Sequence, residues 1–250
     1  MHAQIAGTTA LVTGANRGIG RALVQALLDR GARKVYAAAR RPEQLEEWAR
    51  TSGGRVVPIA LDVTNSAQIR AAAQQAPDVA LLINNAGIVA QLGGDFADAG
   101  WIAAARDEFS VNVIGTLEVT QAFAPILQAN GGGAVANISS VAGLVALPIL
   151  TSYSASKAAL HSITQATRAQ LAPQGTFVAG VYPGPIDTDM AEKILLEKAS
   201  PESAAHAILD GLEAGEEEIF PDPMSRQLGG IYLKSPKALE QQMSAAPAAV

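Results

Sequence analysis

The sequence predicts an α/β fold of the doubly wound class: a mostly parallel, seven-stranded sheet with helices on both faces, built as one domain over residues 1–250. Three observations predict it. Short apolar runs alternate with longer amphipathic or alanine-rich stretches along the chain. Most of the apolar runs are near-continuous rather than alternating, as in parallel strands buried on both faces. The first run leads into a glycine-rich turn and then a helix-forming stretch.

Residues 8–13, 33–39, 55–61, 79–83, 133–139 and 176–182 read as strands, with 218–220 as a seventh. Between them, 19–30, 42–51, 66–75, 101–129 and 152–171 read as helices. Strand–helix alternation of this kind gives right-handed crossovers and a parallel sheet. No repeat, low-complexity linker or shift in composition marks a second domain. After the break at Pro183-Gly184-Pro185, residues 188–215 read as two short helices forming a small substrate-covering segment. Residues 221–250 read as a weakly patterned C-terminal tail, frayed at its final AAPAAV.

Composition narrows the chemistry. The chain has 18 basic and 23 acidic residues, a net charge of −5, 49% hydrophobic residues and no cysteine. Disorder requires low hydrophobicity with high net charge, and nucleic-acid binding requires a concentrated basic face. Without cysteine there is no disulfide scaffold, iron–sulfur cluster or thiolate zinc site. The three histidines, His2, His161 and His206, are scattered, so no metal site is expected. The longest apolar run, 141–150, is about half of what a membrane span needs. The N-terminus lacks a basic leader region, so the expected location is the cytoplasm. What remains is chemistry on an organic cofactor with oxygen and nitrogen side chains.

The glycine turn is Thr13-Gly14-Ala15-Asn16-Arg17-Gly18-Ile19-Gly20. At the end of the first strand of a doubly wound sheet, this is where backbone N–H groups and the helix dipole receive a pyrophosphate. Gly14 allows the tight turn, Gly18 the close approach of the phosphate, and Gly20 the packing of helix on strand. A Rossmann dinucleotide site is therefore expected, although the spacing is G-x-x-x-G-x-G. The second strand ends in Ala39-Arg40-Arg41, with no acid for a ribose diol. A guanidinium holds a 2′-phosphate that a carboxylate would repel. Arg40 and Arg41, with Arg17 from the other side, therefore point to NADP(H) over NAD(H).

Tyr153 and Lys157 stand four residues apart at the start of an alanine-rich helix, on one face. A nearby cation stabilises phenolate and brings a tyrosine into the range useful for proton transfer. Ser139 and Ser140 close the preceding apolar strand, at the sheet end where ligands collect.

Taken in order, Thr13–Gly20, Asp62-Val63, Asn84-Asn85-Ala86-Gly87, Asn112, Ser140, Tyr153 with Lys157, and Pro183-Gly184 resemble the short-chain dehydrogenase/reductase family, in its subgroup of about 250 residues. The resemblance runs from Thr8 to about Pro185. It implies that Ser140, rather than Ser139, binds the substrate oxygen. Tyr153 would donate the proton in reduction or accept it in oxidation. Lys157 would lower the tyrosine's pKa and hold the nicotinamide ribose. Asn112 would hold a water linking Lys157 to solvent. Asp62 and Val63 would flank the adenine, and Asn85, Ala86 and Gly87 would shape the cofactor cleft. Pro183, Gly184, Ile186 and Thr188 would border the nicotinamide, Thr188 through its hydroxyl.

The implied activity is NADPH-dependent reduction of a ketone or aldehyde to an alcohol. Leu144, Val145 and Leu147 give the substrate site an apolar floor. A small-molecule partner is expected, with no nucleic acid and no membrane. Beyond Pro185 the chain departs from the family, whose members often end in an Asp-Gly-Gly turn used in tetramers. Dimer, tetramer and monomer all stay open. Two other readings are weighed: a non-catalytic NADP(H)-binding regulator or scaffold, and a nucleotide-sugar epimerase or dehydratase. The intact Asn112, Ser140, Tyr153 and Lys157 set weighs against the first. The short chain and the glycine spacing weigh against the second.

Overall fold

The computed structural model describes residues 1–94 and 97–245; from residue 246 the stretch read as frayed lies outside them. In chain order the elements are β1 (Thr9–Thr13), α1 (Gly18–Asp29), β2 (Lys34–Ala39), α2 (Glu46–Thr51), β3 (Val56–Ala60), α3 (Ser66–Gln75), β4 (Leu81–Asn84) and α4 (Gly100–Glu108). They continue as α5 (Thr116–Ala129), β5 (Ala134–Ile138), α6 (Thr151–Leu171), β6 (Phe177–Val181), α7 (Pro201–Ala214), β7 (Glu218–Ile219), α8 (Pro223–Lys234) and α9 (Pro236–Ala245).

The seven strands form one parallel sheet in the order β3-β2-β1-β4-β5-β6-β7. The chain winds outward from β1 in one direction and then, from β4, in the other. The carboxyl ends of β1 and β4 therefore flank the crevice where such sheets bind ligands. The near-continuous apolar strands follow from burial on both faces. Ala10 and Val12 enter the core under α1 and α7, with Leu23, Ile208 and Leu209. Leu11 enters the opposite core under α3 and α5, with Ile69, Val119 and Phe123.

Three predicted segments differ from the structure. The helix read over 101–129 is interrupted: a wider π-type turn over Phe109–Gly115 separates α4 from α5. Such turns recur at functional sites, and Asn112 lies within this one.

The segment read over 188–215 as substrate-covering divides in two. Its first part, with a short turn at Asp189–Ala191, lines the cleft. Its second part, α7, packs on α1 instead, where Arg30 pairs with Asp210 and Glu213 at 2.7 Å. Ala205, Ile208 and Leu212 have an apolar surface that only the sheet and α1 cover.

The tail read over 221–250 contains two helices. The Asp222 carboxylate accepts a hydrogen bond from Ser225 N, and Asp222 N donates in return to Ser225 Oγ, with Pro223 in the first turn. This capping box starts α8 firmly. Leu228 and Leu239 then pack on Val141 and Val145. Among the described residues no helix is long and apolar enough to cross a membrane.

Candidate active site

Glycine is required at the end of β1. Gly14 (φ +65°) and Gly18 (φ +52°) adopt left-handed backbone. A side chain at Gly20 would reach within 2.3 Å of Gly14 O. Helix α1 begins at Arg17 without a capping side chain, so its first N–H groups are available to an anion. The cradle thus fits a dinucleotide pyrophosphate by space and by donors. It is stitched to β4. Thr13 Oγ1 accepts hydrogen bonds from Asn85 N (2.9 Å) and Ala86 N (3.0 Å). Asn85 Nδ2 donates to Thr13 O (2.9 Å) and Gly14 O (3.2 Å). The Asn85 amide therefore holds the glycine turn in shape. Thr13 opens the motif Thr13–Gly20, but the motif does not reveal this bond to the end of β4.

Arg40 and Arg41 are exposed at the end of β2 and line the same cleft as Asn16, Arg17, Gly18, Ile19 and Gly20. Arg17 also pairs with Asp189 at 2.8 Å, both groups largely exposed, which links the glycine turn to the segment after β6. Asn16 donates to Gln44 at 2.9 Å. Asp62 and Val63 line the cleft after β3. The Asp62 carboxylate accepts hydrogen bonds from the Thr64 backbone and hydroxyl; these, with the nearby Arg40 charge, hold its pKa below the ordinary value.

Ser139 and Ser140 take different roles. Ser139 is buried and its Oγ donates to Lys157 O at 3.1 Å, which anchors α6. Ser140 is half-buried and lines the cleft. Its Oγ accepts from Ala142 N (3.1 Å) and donates weakly to Pro183 O (3.3 Å). Both serines border the cleft, and Ser140 is the less buried of the two.

Tyr153 and Lys157 share the cleft face of α6. Lys157 Nζ donates to Ile138 O at 2.8 Å and stands 5.6 Å from the centre of the Tyr153 ring. The resemblance implied that Lys157 lowers the tyrosine's pKa. The ammonium lies toward the ring, and burial is the largest influence on the hydroxyl. Burial pushes the Tyr153 hydroxyl up to about 12, with the Ser140 hydrogen bond opposing and the Glu108 charge adding to the rise. Burial also draws Lys157 down to about 8.

Asn112 is fully buried. Its Oδ1 accepts from Ile88 N (2.9 Å), and its Nδ2 donates to Ile88 O (3.0 Å) and Ser156 Oγ (3.0 Å). Three of its hydrogen-bonding positions are taken. The side chain is therefore a clamp between the β4–α4 loop and α6, with one Oδ1 lone pair left over. Gly87 lets this cluster close up: a side chain there would lie 3.3 Å from Asn112 Oδ1 and 3.5 Å from Lys157 Nζ.

Pro183, Gly184, Ile186 and Thr188 line the far side. Thr188 Oγ1 donates to Ile186 O at 3.3 Å, a weak bond, and its methyl abuts Gly18. Gly184 N donates to Asp222 Oδ2 at 2.8 Å, so the residue that caps α8 also fixes this turn. The capping pattern Asp222-Pro223-x-Ser225 was the available signal for it. The whole cleft measures about 1590 Å³. On the substrate side it is walled by Val145, Leu147, Ile149, Met224, Leu228 and Met243.

This arrangement can bind a dinucleotide along the ends of β1, β2 and β4 and present two hydroxyls, from Ser140 and Tyr153, to one oxygen beside it. The comparisons agree with that geometry. A profile of the short chain dehydrogenase family matches residues 8–199. The ketoacyl reductase HetN of a Nostoc species is 31% identical over 245 residues, covering 92% of this chain and 84% of that protein. An uncharacterised oxidoreductase of Staphylococcus aureus is 34% identical, covering 81% and 90%. Among solved structures, a short chain dehydrogenase from Burkholderia cenocepacia in complex with NADP is 43% identical, with a TM-score of 0.88 over 98% of this chain and 100% of that one. One from Streptomyces avermitilis is 29% identical, with a TM-score of 0.82 over 93% and 94%. With this match in fold and sequence, the chain belongs to the short-chain dehydrogenase family of oxidoreductases.

Proposed function

We propose that the protein uses NADPH to reduce a largely apolar ketone or aldehyde to the alcohol. The observation that carries the reading is the convergence of Ser140, Tyr153 and Lys157 beside the glycine cradle, in one cleft. The 2′-phosphate reading rests on Arg40 and Arg41 at the end of β2, where no acid stands. The NADP bound by the Burkholderia relative supports it.

In this mechanism the dihydronicotinamide, when bound, supplies the hydride to the carbonyl carbon. The Ser140 hydroxyl turns from its weak bond to Pro183 O and donates to the carbonyl oxygen. Tyr153, protonated at neutral pH, gives its proton to the alkoxide as it forms. Together the two hydroxyls stabilise the developing negative charge, which is where electrostatic help is most effective. Lys157, seated on Ile138 O, is placed to hold the nicotinamide ribose. Helices α8 and α9 exclude water from the apolar side and select uncharged substrates, because a charged one would lose its hydration there without a partner.

Turnover of NADPH against a panel of ketones, aldehydes and quinones tests the proposal, with Tyr153→Phe as control. The expected result is reduction of at least one uncharged carbonyl, falling about 100-fold or more in the variant. Tight NADPH binding without turnover of any member would refute the reading and favour a coenzyme-binding regulator.

A further inference from the structure

We propose that Met190, Met224 and Met243 determine which substrates the cleft takes: they form a conformable thioether wall that selects uncharged carbonyl compounds with a bulky aromatic body. The inference rests on the reading of the protein as a carbonyl reductase and names the substrate class of that site.

The cleft, at about 1590 Å³, exceeds the roughly 300–1,000 Å³ of a pocket that holds one small ligand. A coenzyme laid along the ends of β1, β2 and β4 therefore leaves room for a second molecule of some size. The chain has four methionines, and all but Met1 line this cleft. They come from three separate segments: Met190 from the short turn after β6, Met224 from α8 and Met243 from α9. The two cores that flank the sheet contain none. The thioethers are confined to the place where a ligand would touch them.

Each is carried on backbone that is held from one side. Met224 follows Asp222, whose carboxylate accepts from Gly184 N at 2.8 Å and Ser225 N at 2.9 Å. A side chain at Gly184 would lie 3.4 Å from Met224 Cβ, so this methionine borders the turn after β6. Met243 lies one helical turn beyond the fully buried Leu239, on the same face of α9. Met190 adjoins Asp189, which pairs with Arg17 at 2.8 Å. Met190 is exposed, and Met224 and Met243 are half-buried against the cluster of Val141 and Val145. Held backbone with long, unbranched, polarizable side chains gives a wall that changes shape while its helices stay in place.

The chemistry of the wall defines its guest. Among the described residues the only aromatic ring lining the cleft is that of Tyr153. An aromatic guest therefore meets sulfur instead of a second ring, and sulfur–aromatic contacts are favourable. The neighbours Val145, Leu147, Ile149 and Leu228 are aliphatic. Glu192 and Lys193 stand at the exposed rim. A charged guest would lose hydration against the wall without gaining a partner. A flexible alkyl chain would lose more conformational freedom on binding than a rigid ring system. A small aliphatic ketone would reach too few of the three sulfurs to gain from them.

Rates of NADPH oxidation with methyl naphthyl ketone, decanone, butanone and acetylnaphthoate test the proposal. The naphthyl ketone is expected to have the highest kcat/KM, about tenfold or more above butanone, and acetylnaphthoate to be a poor substrate. Met224→Leu combined with Met243→Leu keeps volume and apolarity while removing sulfur and a torsion. It should lower kcat/KM for the naphthyl ketone about fivefold more than for butanone, mainly through KM. Equal losses on the two ketones would mark a packing role and overturn the proposal. A wild type that prefers decanone, or takes acetylnaphthoate as readily as the naphthyl ketone, overturns it as well. Should the double variant not fold, Met190→Leu, at an exposed position, decides on the same ratio. If the wild type reduces no carbonyl, the reductase reading fails, and calorimetric binding to the NADP-loaded protein decides on the wall alone. Binding of the naphthyl ketone that weakens in the leucine variant supports it, and absence of binding overturns it.

Discussion

Replacing Thr13 by valine keeps shape and apolar burial and deletes one oxygen. Thr13 is 2% exposed, and that oxygen accepts both Asn85 N and Ala86 N, at 2.9 and 3.0 Å. The valine methyl would leave both donors facing carbon. Asn85 and Ala86 are half-buried, so water offsets part of the loss. Taking the low end for an unsatisfied donor, about 1 kcal/mol each, gives about 2 kcal/mol. For a chain of this size that lowers Tm by roughly 4–8 °C. A functional loss should accompany it. The same β4 end carries Asn85, whose amide holds Thr13 O and Gly14 O, so loosening it frees the glycine turn and weakens NADPH binding. Thr13→Ser, which keeps the oxygen, should retain most of both properties. Thermal unfolding and a fluorescence titration with NADPH measure the two effects. A valine variant that melts within 1 °C of wild type and binds NADPH unchanged would refute the stitching argument.

Three other outcomes are expected. Arg40→Asp should weaken NADPH binding about tenfold or more while sparing NADH, since it replaces a charge-assisted donor by a repelling carboxylate; an unchanged ratio of the two affinities contradicts the 2′-phosphate assignment. Lys157 is drawn from 10.5 to about 8 in the folded chain, so between those values the unfolded chain binds the extra proton and stability rises with pH, by up to about 3 kcal/mol. Urea unfolding between pH 7 and 10 reads that slope, and Lys157→Met should flatten it. Leu239→Ala, at a fully buried position on α9, should raise KM for an apolar ketone several-fold and leave NADPH affinity unchanged; a fall in NADPH affinity instead would mean that α9 supports the coenzyme side.

The sheet was legible because its signal is local and repeated. Each strand is an aliphatic run, and each is flanked by helices whose apolar faces it needs. The glycine turn was legible because Gly14, Gly18 and Gly20 each answer a backbone demand that no other residue meets. Helices α8 and α9 were not. Their apolar residues cover a satellite cluster rather than the sheet, so their periodicity is weak, and only the Asp222 and Ser225 cap betrays a start. Helix α7 was found but misplaced. Its amphipathic pattern says that one face is buried, without saying whether α1 or the cleft buries it. The contact that Thr13 makes lay beyond reach for another reason: a hydrogen bond across 72 residues leaves no spacing to read.

The proton-transfer geometry depends on residues that do no chemistry. Tyr153 can meet a carbonyl beside Ser140 only if α6 has one height and one rotation relative to β5. Side-chain bonds to α6 set both. Ser139 Oγ holds Lys157 O, Asn112 holds Ser156 Oγ, and Asn137 Nδ2 holds Thr164 Oγ1 at 2.9 Å. Asn137 is itself held by Asn84 Nδ2, which also donates to Thr120 on α5. A polar ladder thus crosses β4 and β5 between the two helices, inside an otherwise apolar layer. Asn84 Oδ1 alone in this ladder is left without a partner among the described residues; the other bonds are made in this arrangement and costly to lose in any other. A slide of α6 along the sheet would break several of these bonds together, whereas aliphatic packing alone would let it settle nearby. The position of the tyrosine is therefore held by asparagines and a threonine that, read one at a time, are ordinary core residues.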